Sequence, residues 1–309
     1  MAEVDLRTHV GNVELKNPVL TASGTSGHGA ELEAYFPLAA LGAVTVKSLS
    51  VEPWDGNAAP RVHQATAGML NSVGLQGPGI AAWLGDDLPR LQRCGASVVA
   101  SIWGRTVDEY AAAAAALRGS ASAIVAVEVN LSCPNLDGGR HLFAHSAADT
   151  SAVVAAVVAE LDRPAWAKLS AQVTDLVAIA EAAMGAGTAA LTLVNTLPGM
   201  AIDVDTRSFR LGSGANGGGL SGPAMHPIAV RAVHDVHAAL PAAPIVGVGG
   251  VATGEDAIEL LLAGASAVQV GTATFADPRA SHRVLDEVAR WCTQQGVATI
   301  GELIGGVHV

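Results

Sequence analysis

Eight short β-rich apolar runs alternate with longer stretches of helical period along the 309 residues, which predicts an α/β fold of the (β/α)8 TIM barrel class. Half of the residues are hydrophobic and 15% are charged, a composition typical of buried parallel strands covered by helices. An open doubly wound sheet usually has fewer strands. Eight βα units joined by right-handed crossovers therefore favour a closed barrel.

A small N-terminal β-hairpin precedes the first unit, because residues 6–10 and 12–15 flank a Gly11-Asn12 turn; we expect it to close the bottom of the barrel. The predicted strands are 18–23, 43–48, 97–102, 123–132, 165–170, 189–195, 244–250 and 267–272. Helices, several of them after a Thr, Ser or Asp suited to an N-cap, are predicted at 106–117, 151–161, 175–184, 227–240 and 255–262. No linker is visible, so residues 1–309 are expected to form a single barrel domain.

The charge and cysteine patterns exclude several classes of protein. With 28 acidic and 17 basic residues the net charge is −11, which opposes broad contact with nucleic-acid phosphates. Cys94, Cys133 and Cys292 lie far apart and show neither a disulfide framework nor zinc-ligand spacing. We therefore expect no metal site and a cytoplasmic protein.

One apolar stretch, residues 176–194, approaches the length of a membrane span, with Glu181 as its only charge. A Gly185-Ala186-Gly187 break divides it into a predicted helix and a predicted strand. The first ten residues carry Glu3, Asp5, Arg7 and His9 and lack the apolar core of a signal peptide. Neither a membrane span nor export is expected.

Glycine-rich segments end the last two predicted strands. In (β/α)8 barrels the chemistry lies in the loops after the strands, and a phosphate commonly binds after the seventh and eighth. Here Gly-Val-Gly-Gly (247–250) and Val-Gly-Thr (270–272) offer bare backbone N–H groups followed by a helix N-terminus. Gly-Gly-Leu-Ser-Gly-Pro (218–223) is a weaker candidate of the same kind. The alternative is that these glycines only permit tight turns.

Lysines end the second and fifth predicted strands. Lys47 and Lys168 stand in apolar surroundings, where an ammonium group needs an anion or a polar acceptor. The electron-rich edge of a flavin or a substrate carboxylate would be a suitable partner for each ammonium group. The alternative is that each lysine reaches solvent.

Asn-Leu-Ser-Cys-Pro-Asn (130–135) directly follows an apolar strand. The residues alone leave Cys133 open as a nucleophile, a proton acceptor or an inert small side chain, although no histidine in the motif supports the nucleophile. Asn71, Asn130, Asn135 and Asn195 offer paired donors and acceptors suited to a planar, amide-rich ligand. Asparagines also cap loops, which is the alternative for each.

The order and spacing of several motifs resemble the family-1 dihydroorotate dehydrogenases, FMN enzymes of pyrimidine biosynthesis. The resemblance covers nearly the whole chain. Besides 130–135 and 247–250, the segments that carry it are Lys-Asn-Pro (16–18), Ala-Ser-Gly (22–24), Gly-Met-Leu-Asn-Ser-Val-Gly-Leu-Gln (68–76), Lys-Leu-Ser (168–170), Asn-Thr (195–196), Gly-Leu-Ser-Gly-Pro-Ala (219–224) and Gly-Ala-Ser-Ala-Val-Gln-Val-Gly-Thr (264–272).

This resemblance implies oxidation of dihydroorotate to orotate in de novo UMP biosynthesis, with hydride transfer from C6 to N5 of FMN and Cys133 as the base that removes the C5 proton. The implied substrate contacts are Lys47, Asn71, Ser72, Val73, Gly74, Leu75, Asn130, Asn195 and Thr196. The implied flavin contacts are Ser23, Lys47, Ser48, Ser101, Asn130, Lys168, Val194, Gly222, Gly249, Gly250, Gly271 and Thr272.

Two segments depart from the family pattern. Ser101, followed by Trp103, stands where the family usually has an asparagine that touches the flavin, and residues 25–36 differ in detail. The shorter hydroxyl of Ser101 reaches less far, so we expect a water or a shifted contact to fill the gap.

The segment 136–144 resembles the branch of the family that passes electrons to NAD through an FAD and iron–sulfur subunit. A heterotetramer or homodimer is then expected. The alternatives are the fumarate-linked homodimeric branch, a related flavin barrel acting on another reduced pyrimidine such as dihydropyrimidine, and a non-catalytic flavoprotein subunit.

Overall fold

The computed structural model describes residues 4–132 and 142–308, in which strands and helices alternate. The strands are β1 (Thr8–Val10), β2 (Val13–Leu15), β3 (Val19–Thr21), β4 (Val44–Thr45), β5 (Val62–Ala65), β6 (Gly68–Asn71), β7 (Val98–Ile102), β8 (Ile124–Asn130), β9 (Ala165–Leu169), β10 (Ala190–Leu193), β11 (Leu197–Gly199), β12 (Ile202–Asp203), β13 (Ser208–Phe209), β14 (Gly218–Ser221), β15 (Ile245–Val248) and β16 (Ala267–Val270). The α-helices are α1 (Ile80–Asp86), α2 (Leu88–Arg93), α3 (Val107–Leu117), α4 (Ala147–Glu160), α5 (Leu176–Gly185), α6 (His226–Ala239), α7 (Gly254–Leu262), α8 (Ala273–Ala276) and α9 (Ala280–Gln295).

Eight parallel strands form the barrel in the order β3-β16-β15-β10-β9-β8-β7-β4. The ring closes between the first and last of these, where Leu20 bridges Ala43 and the N–H of Gly42 donates to the Val19 carbonyl at 2.9 Å. Each predicted run contains one barrel strand, so the predicted fold class is confirmed.

The predicted helices are present, but one boundary is wrong. Helix α4 begins at Ala147, earlier than the predicted residue 151. The reason is the N-cap: the Ser146 hydroxyl accepts a hydrogen bond from the N–H of Asp149 at 3.2 Å, and the turn after it carries little apolar periodicity. Caps at Thr106, Asp175 and Thr253 begin α3, α5 and α7 in the same way.

The β1–β2 hairpin fills the N-terminal end of the barrel, as predicted. Its side chains Val10, Val13 and Leu15 pack into one buried cluster with an inward side chain from each barrel strand. These inward side chains are Leu20, Ala43, Val99, Ala126, Trp166, Ala190, Val246 and Ala267. The cluster forms an apolar floor, since side chains two residues apart in a strand point to the same side.

The apolar stretch 176–194 divides into helix α5 and strand β10, as predicted. Within residues 4–132 and 142–308, none of the helices has the length and apolar character that crossing a membrane requires.

The hairpin turn gives a stability prediction. Gly11 has a φ of +62°, and a Cβ there would lie 2.8 Å from the Ala189 carbonyl oxygen. Gly11→Ala is expected to lower the free energy of unfolding by about 1–2 kcal/mol for the left-handed backbone, and further through this contact, as measured by urea denaturation. Gly119→Ala is the control, because Gly119 also has a positive φ, of +67°. Apart from its chain neighbours, a Cβ there would have no atom of residues 4–132 and 142–308 within 4 Å. Equal losses in the two variants would contradict the proposed fit of the hairpin against the barrel.

Candidate active site

A pocket opens at the C-terminal ends of seven barrel strands, where parallel-barrel sites are expected. Most of the predicted site residues line it: Ser23, Lys47, Ser48, Asn71, Val73, Gly74, Leu75, Asn130, Lys168, Val194, Asn195, Thr196, Gly222, Gly249, Gly250, Gly271 and Thr272. Ser72 and Ser101 are not among the lining residues. Residues far apart in sequence therefore meet at one pocket.

Ser48 is the centre of a hydrogen-bond network in the wall of the pocket. Its Oγ lies 3.2 Å from Ser23 Oγ and 2.9 Å from Ser101 Oγ, and it accepts from Asn130 Nδ2 at 3.3 Å. Ser101 is fully buried, so it supports Ser48 from behind the pocket lining. The shorter side chain at position 101 thus has a partner in the protein itself.

Two asparagine amides in the pocket orient each other. Asn195 Nδ2 donates to Asn130 Oδ1 at 3.0 Å, and Asn195 Oδ1 accepts from the N–H of Thr196 at 2.8 Å. The hydroxyl of Tyr110, in helix α3, donates to the Asn130 carbonyl at 2.5 Å. These contacts fix the two planar amides at the ends of β8 and β10.

A second, antiparallel sheet in the order β11-β14-β6-β5 lies at the pocket and was not predicted. It brings Asn71, at the end of β6, beside Gly219 in β14, and Asn71 Nδ2 donates to the Gly219 carbonyl at 3.3 Å. Its side chains Val62, Met69 and Leu220 also line the pocket. Its strands are Val-His-Gln-Ala, Gly-Met-Leu-Asn, Leu-Pro-Gly and Gly-Gly-Leu-Ser, whose glycine, proline and polar residues are typical of loops in a sequence.

The loop after β6 is held from outside the pocket. The indole N–H of Trp54 donates to the Gly74 carbonyl at 2.9 Å, and Asn57 Nδ2 donates to Ser72 Oγ at 2.8 Å. Ser72 is buried, and its hydroxyl anchors the loop. Val73 and Leu75 face the pocket on either side of Gly74.

Lys168 forms a buried ion pair that sequence analysis missed. Its Nζ lies 3.2 Å from Glu128 Oε1 and 3.4 Å from Gln269 Oε1. Glu128 and Gln269 are fully buried, and Lys168 is nearly so. A carboxylate within the apolar run Ile124–Asn130 was the available signal, because such a residue needs a partner inside the barrel.

Lys47 is the second cation of the pocket, and the sequence has only one further lysine, Lys16. Its effect reaches the first loop: burial lowers the pKa of His28, and the charge of Lys47 lowers that pKa further. Both predicted lysines therefore line the pocket, Lys168 as half of an ion pair.

Glycines form a bare-backbone cradle on one side of the pocket. Gly222, Gly249 and Gly250 have φ values of +100°, +142° and +73°. A Cβ at Gly249 would lie 2.7 Å from the Ala229 side chain, and one at Gly250 would lie 2.7 Å from the backbone N of His226. These positions therefore require glycine for both backbone and space.

Cys133, Asn135 and most of the segment 136–144 lie outside the described residues. The described chain reaches Ser132, which lines the pocket two residues after the end of β8.

A sequence-family model described as dihydroorotate dehydrogenase matches residues 5–291. The chain belongs to the dihydroorotate dehydrogenase family. This match covers most of the chain, including all eight barrel strands and every predicted site residue.

Relatives in several bacteria carry the name dihydroorotate dehydrogenase B (NAD(+)), catalytic subunit. The one from Desulforudis audaxviator is 48% identical over 97% of this chain and 96% of its own length. Those from Alkaliphilus oremlandii and Geobacter sulfurreducens are each 44% identical, covering 99% and 100% of both chains. The predicted resemblance to the family and to its NAD-linked branch is confirmed.

The described part of the chain contains no group of three or more His, Cys, Asp or Glu side chains arranged to hold a metal ion. The polar groups of the pocket are lysines, amides, hydroxyls and backbone N–H groups, which suit an organic ligand with anionic and amide groups.

The second sheet gives a prediction about the pocket wall. A Cβ at Gly219 would lie 2.2 Å from Thr196 Oγ1, so Gly219→Ala is expected to push β11 from β14. Amide hydrogen exchange should quicken in Leu197–Gly199, and stability should fall by about 1–3 kcal/mol, as for other overpacked sites. Gly85→Ala, in α1, is the control. Outside its own helix, a Cβ at Gly85 would meet no atom of the described residues within 4 Å. Unchanged exchange in Gly219→Ala would contradict this close packing.

Proposed function

We propose that this chain oxidises dihydroorotate to orotate, using FMN bound in the pocket, as a step of pyrimidine biosynthesis. The observation that carries the proposal is the Asn130–Asn195 amide pair, which lines the same pocket as Lys47, Lys168 and the glycine cradle. This combination suits a planar, amide-rich, anionic substrate beside a phosphate-bearing cofactor. Membership of the dihydroorotate dehydrogenase family supports the same reaction.

The cradle fits the phosphate of FMN, because side chains are excluded where an anion would meet backbone N–H groups. Gly249, Gly250, Gly271 and Thr272, with Gly222 opposite, would hold this group. Lys168 and Lys47 would face the electron-rich part of the ring system, with Ser23, Ser48 and Val194 beside it. When bound, FMN supplies the acceptor for the hydride from substrate C6.

The substrate ring would lie against the loop after β6 and the two asparagines. Asn71, Asn130 and Asn195 offer amide donors and acceptors that match the ring N–H and C=O groups. Thr196 and the loop 73–75 would complete the contacts, with Ser72 anchoring that loop from behind. Lys47 is the candidate partner of the substrate carboxylate.

The proposed base is Cys133, whose thiolate Sγ would take the proton from substrate C5. Two pocket-lining residues support this role: Asn130, which ends strand β8, and Ser132, which lies one residue before the cysteine. A thiolate is required, since a protonated thiol cannot accept the proton.

The names of the relatives support a partner chain. These relatives are named as catalytic subunits of NAD(+)-linked enzymes. We therefore propose that electrons leave this chain through a second subunit that carries FAD and an iron–sulfur centre. The assembly would be a homodimer of catalytic chains or a heterotetramer with the partner, in the cytoplasm.

The decisive experiment is anaerobic mixing of the purified flavoprotein with dihydroorotate. Bleaching of the flavin absorption near its visible maximum is expected, followed by reoxidation with NAD only when the partner subunit is present. Reoxidation by fumarate without a partner subunit would indicate fumarate, and not NAD, as the electron acceptor. A flavin that dihydroorotate leaves oxidised would refute the proposed reaction.

Cys133→Ala tests the base. The variant should remain a folded yellow protein, whereas the rate of flavin reduction by dihydroorotate at neutral pH should fall by about 10²–10⁴-fold, the usual contribution of a general base. Stopped-flow absorbance measures this rate. Cys94→Ala is the control, because Cys94 lies at the C-terminal end of α2 and does not line the pocket. Unchanged kinetics in Cys133→Ala would exclude the cysteine as base.

Lys168→Ala tests the cofactor site. Loss of a charge-assisted hydrogen bond should raise the Kd for FMN about ten- to hundredfold, as measured by quenching of flavin fluorescence. Lys16→Ala is the control, since Lys16 is exposed and lies before β3 at the opposite end of the barrel. Full flavin retention in Lys168→Ala would count against its role.

A further inference from the structure

Three buried polar side chains meet in the interior of the barrel. Lys168 Nζ donates to Glu128 Oε1 at 3.2 Å and to Gln269 Oε1 at 3.4 Å. Gln269 Nε2 donates to the other carboxylate oxygen, Glu128 Oε2, at 2.8 Å. Each side chain thus contacts both others, and we call Glu128, Lys168 and Gln269 the interior triad.

The interior triad lies one layer above the apolar floor. Its members follow Ala126, Trp166 and Ala267 of the floor by two residues each, in β8, β9 and β16. Because inward side chains recur every two residues, the triad separates the floor from the pocket. Lys168 also lines the pocket, whereas Glu128 and Gln269 are fully buried beneath it.

The hydrogen bonds fix the orientation of the Gln269 amide. Its oxygen faces the ammonium of Lys168, and its nitrogen faces Glu128 and also donates to Thr45 Oγ1 at 3.3 Å. Two of the three ammonium N–H groups are directed to the other two members of the triad. Within the part of the chain that the structure describes, the third is left for a ligand in the pocket. The triad therefore determines where the lysine presents its charge.

Charge is as important as position here. An ammonium buried without an anion is strongly unfavourable, and Glu128 is the carboxylate that the structure pairs with it. Without Glu128, the Lys168 ammonium would lack this carboxylate and would interact more strongly with negative charge on a bound ring. With Glu128, the layer under the pocket is close to neutral.

We propose that Glu128 and Gln269 are positioning residues of the flavin site. They hold the Lys168 ammonium at the base of the pocket, and the Glu128 carboxylate offsets its charge, which sets the midpoint potential of bound FMN. This inference rests on the proposed use of FMN and adds two residues that do not touch the cofactor.

Glu128→Gln is the central test, because it keeps the size of the side chain and removes its charge. The uncompensated lysine should stabilise the electron-richer reduced flavin. The ratio of reduced to oxidised FMN at a fixed applied potential should rise about tenfold, which corresponds to about 30 mV in a two-electron midpoint potential. Equilibration with a redox dye under anaerobic conditions measures this ratio.

The matched control is Thr192→Val, because Thr192 is a fully buried polar residue of the neighbouring strand β10 and its hydroxyl has no hydrogen-bond partner among residues 4–132 and 142–308. It changes polarity within the barrel without changing charge, so the potential should stay at the wild-type value. If Glu128→Gln matched this control, the inference would be overturned. A change that reflected general disturbance of the barrel would appear in both variants.

A second pair of variants covers the case in which Glu128→Gln does not fold. Lys168→Met leaves a buried unpaired carboxylate, whereas Lys168→Met combined with Glu128→Gln replaces the pair with neutral side chains of similar size. The double variant should melt at a higher temperature and bind FMN about tenfold more tightly than Lys168→Met alone. Equal melting temperatures and equal Kd values would overturn the inference.

None of these measurements uses dihydroorotate, so they separate this inference from the proposed reaction. Shifted potentials together with a flavin that dihydroorotate does not reduce would support the triad and refute the reaction. A wild-type protein that binds no FMN would refute both.

Discussion

The structure depends on the two-residue alternation of side chains along the parallel barrel strands. Counting inward positions from the N-terminal end, strand β8 gives Ala126, Glu128 and Asn130, and β4 with its flanking residues gives Ala43, Thr45 and Lys47. In both of these strands the first inward position is apolar, the second is polar and buried, and the third reaches the pocket. The same geometric rule therefore produces the hydrophobic floor, the hydrogen-bonded layer and the ligand-facing groups.

This layering explains why a charged pair can lie inside a barrel otherwise filled with small apolar side chains. The Lys168 ammonium donates hydrogen bonds to Glu128 and Gln269, so the carboxylate of Glu128 compensates this buried charge. Above this layer, the amides of Asn130 and Asn195 hold each other in place. A ligand thus meets groups whose orientation exists before binding, which reduces the entropy lost when it binds.

The sequence predicted features that depend on local pattern and on residue type at strand ends. All eight barrel strands, Lys47 and Lys168, and the glycine loops belong to this class. Side-chain pairing across the barrel could not be predicted from the sequence, because Glu128 and Gln269 are far apart in the chain and meet only when the barrel closes. The second sheet was missed because its strands are rich in glycine, proline and polar residues, which are typical of loops. The N-cap at Ser146 moved the start of α4.

The β1–β2 hairpin closes the N-terminal end of the barrel, so the barrel is open at its C-terminal end. Val10, Val13 and Leu15 fill the N-terminal end, and the pocket opens at the rim formed by the loops after the strands. A partner chain that docked on this rim would share it with any ligand that enters the pocket. The footprint of such a partner would have to leave the loop 72–75 and the second sheet free enough for a ligand to enter and leave, which would limit how much of this face it could cover.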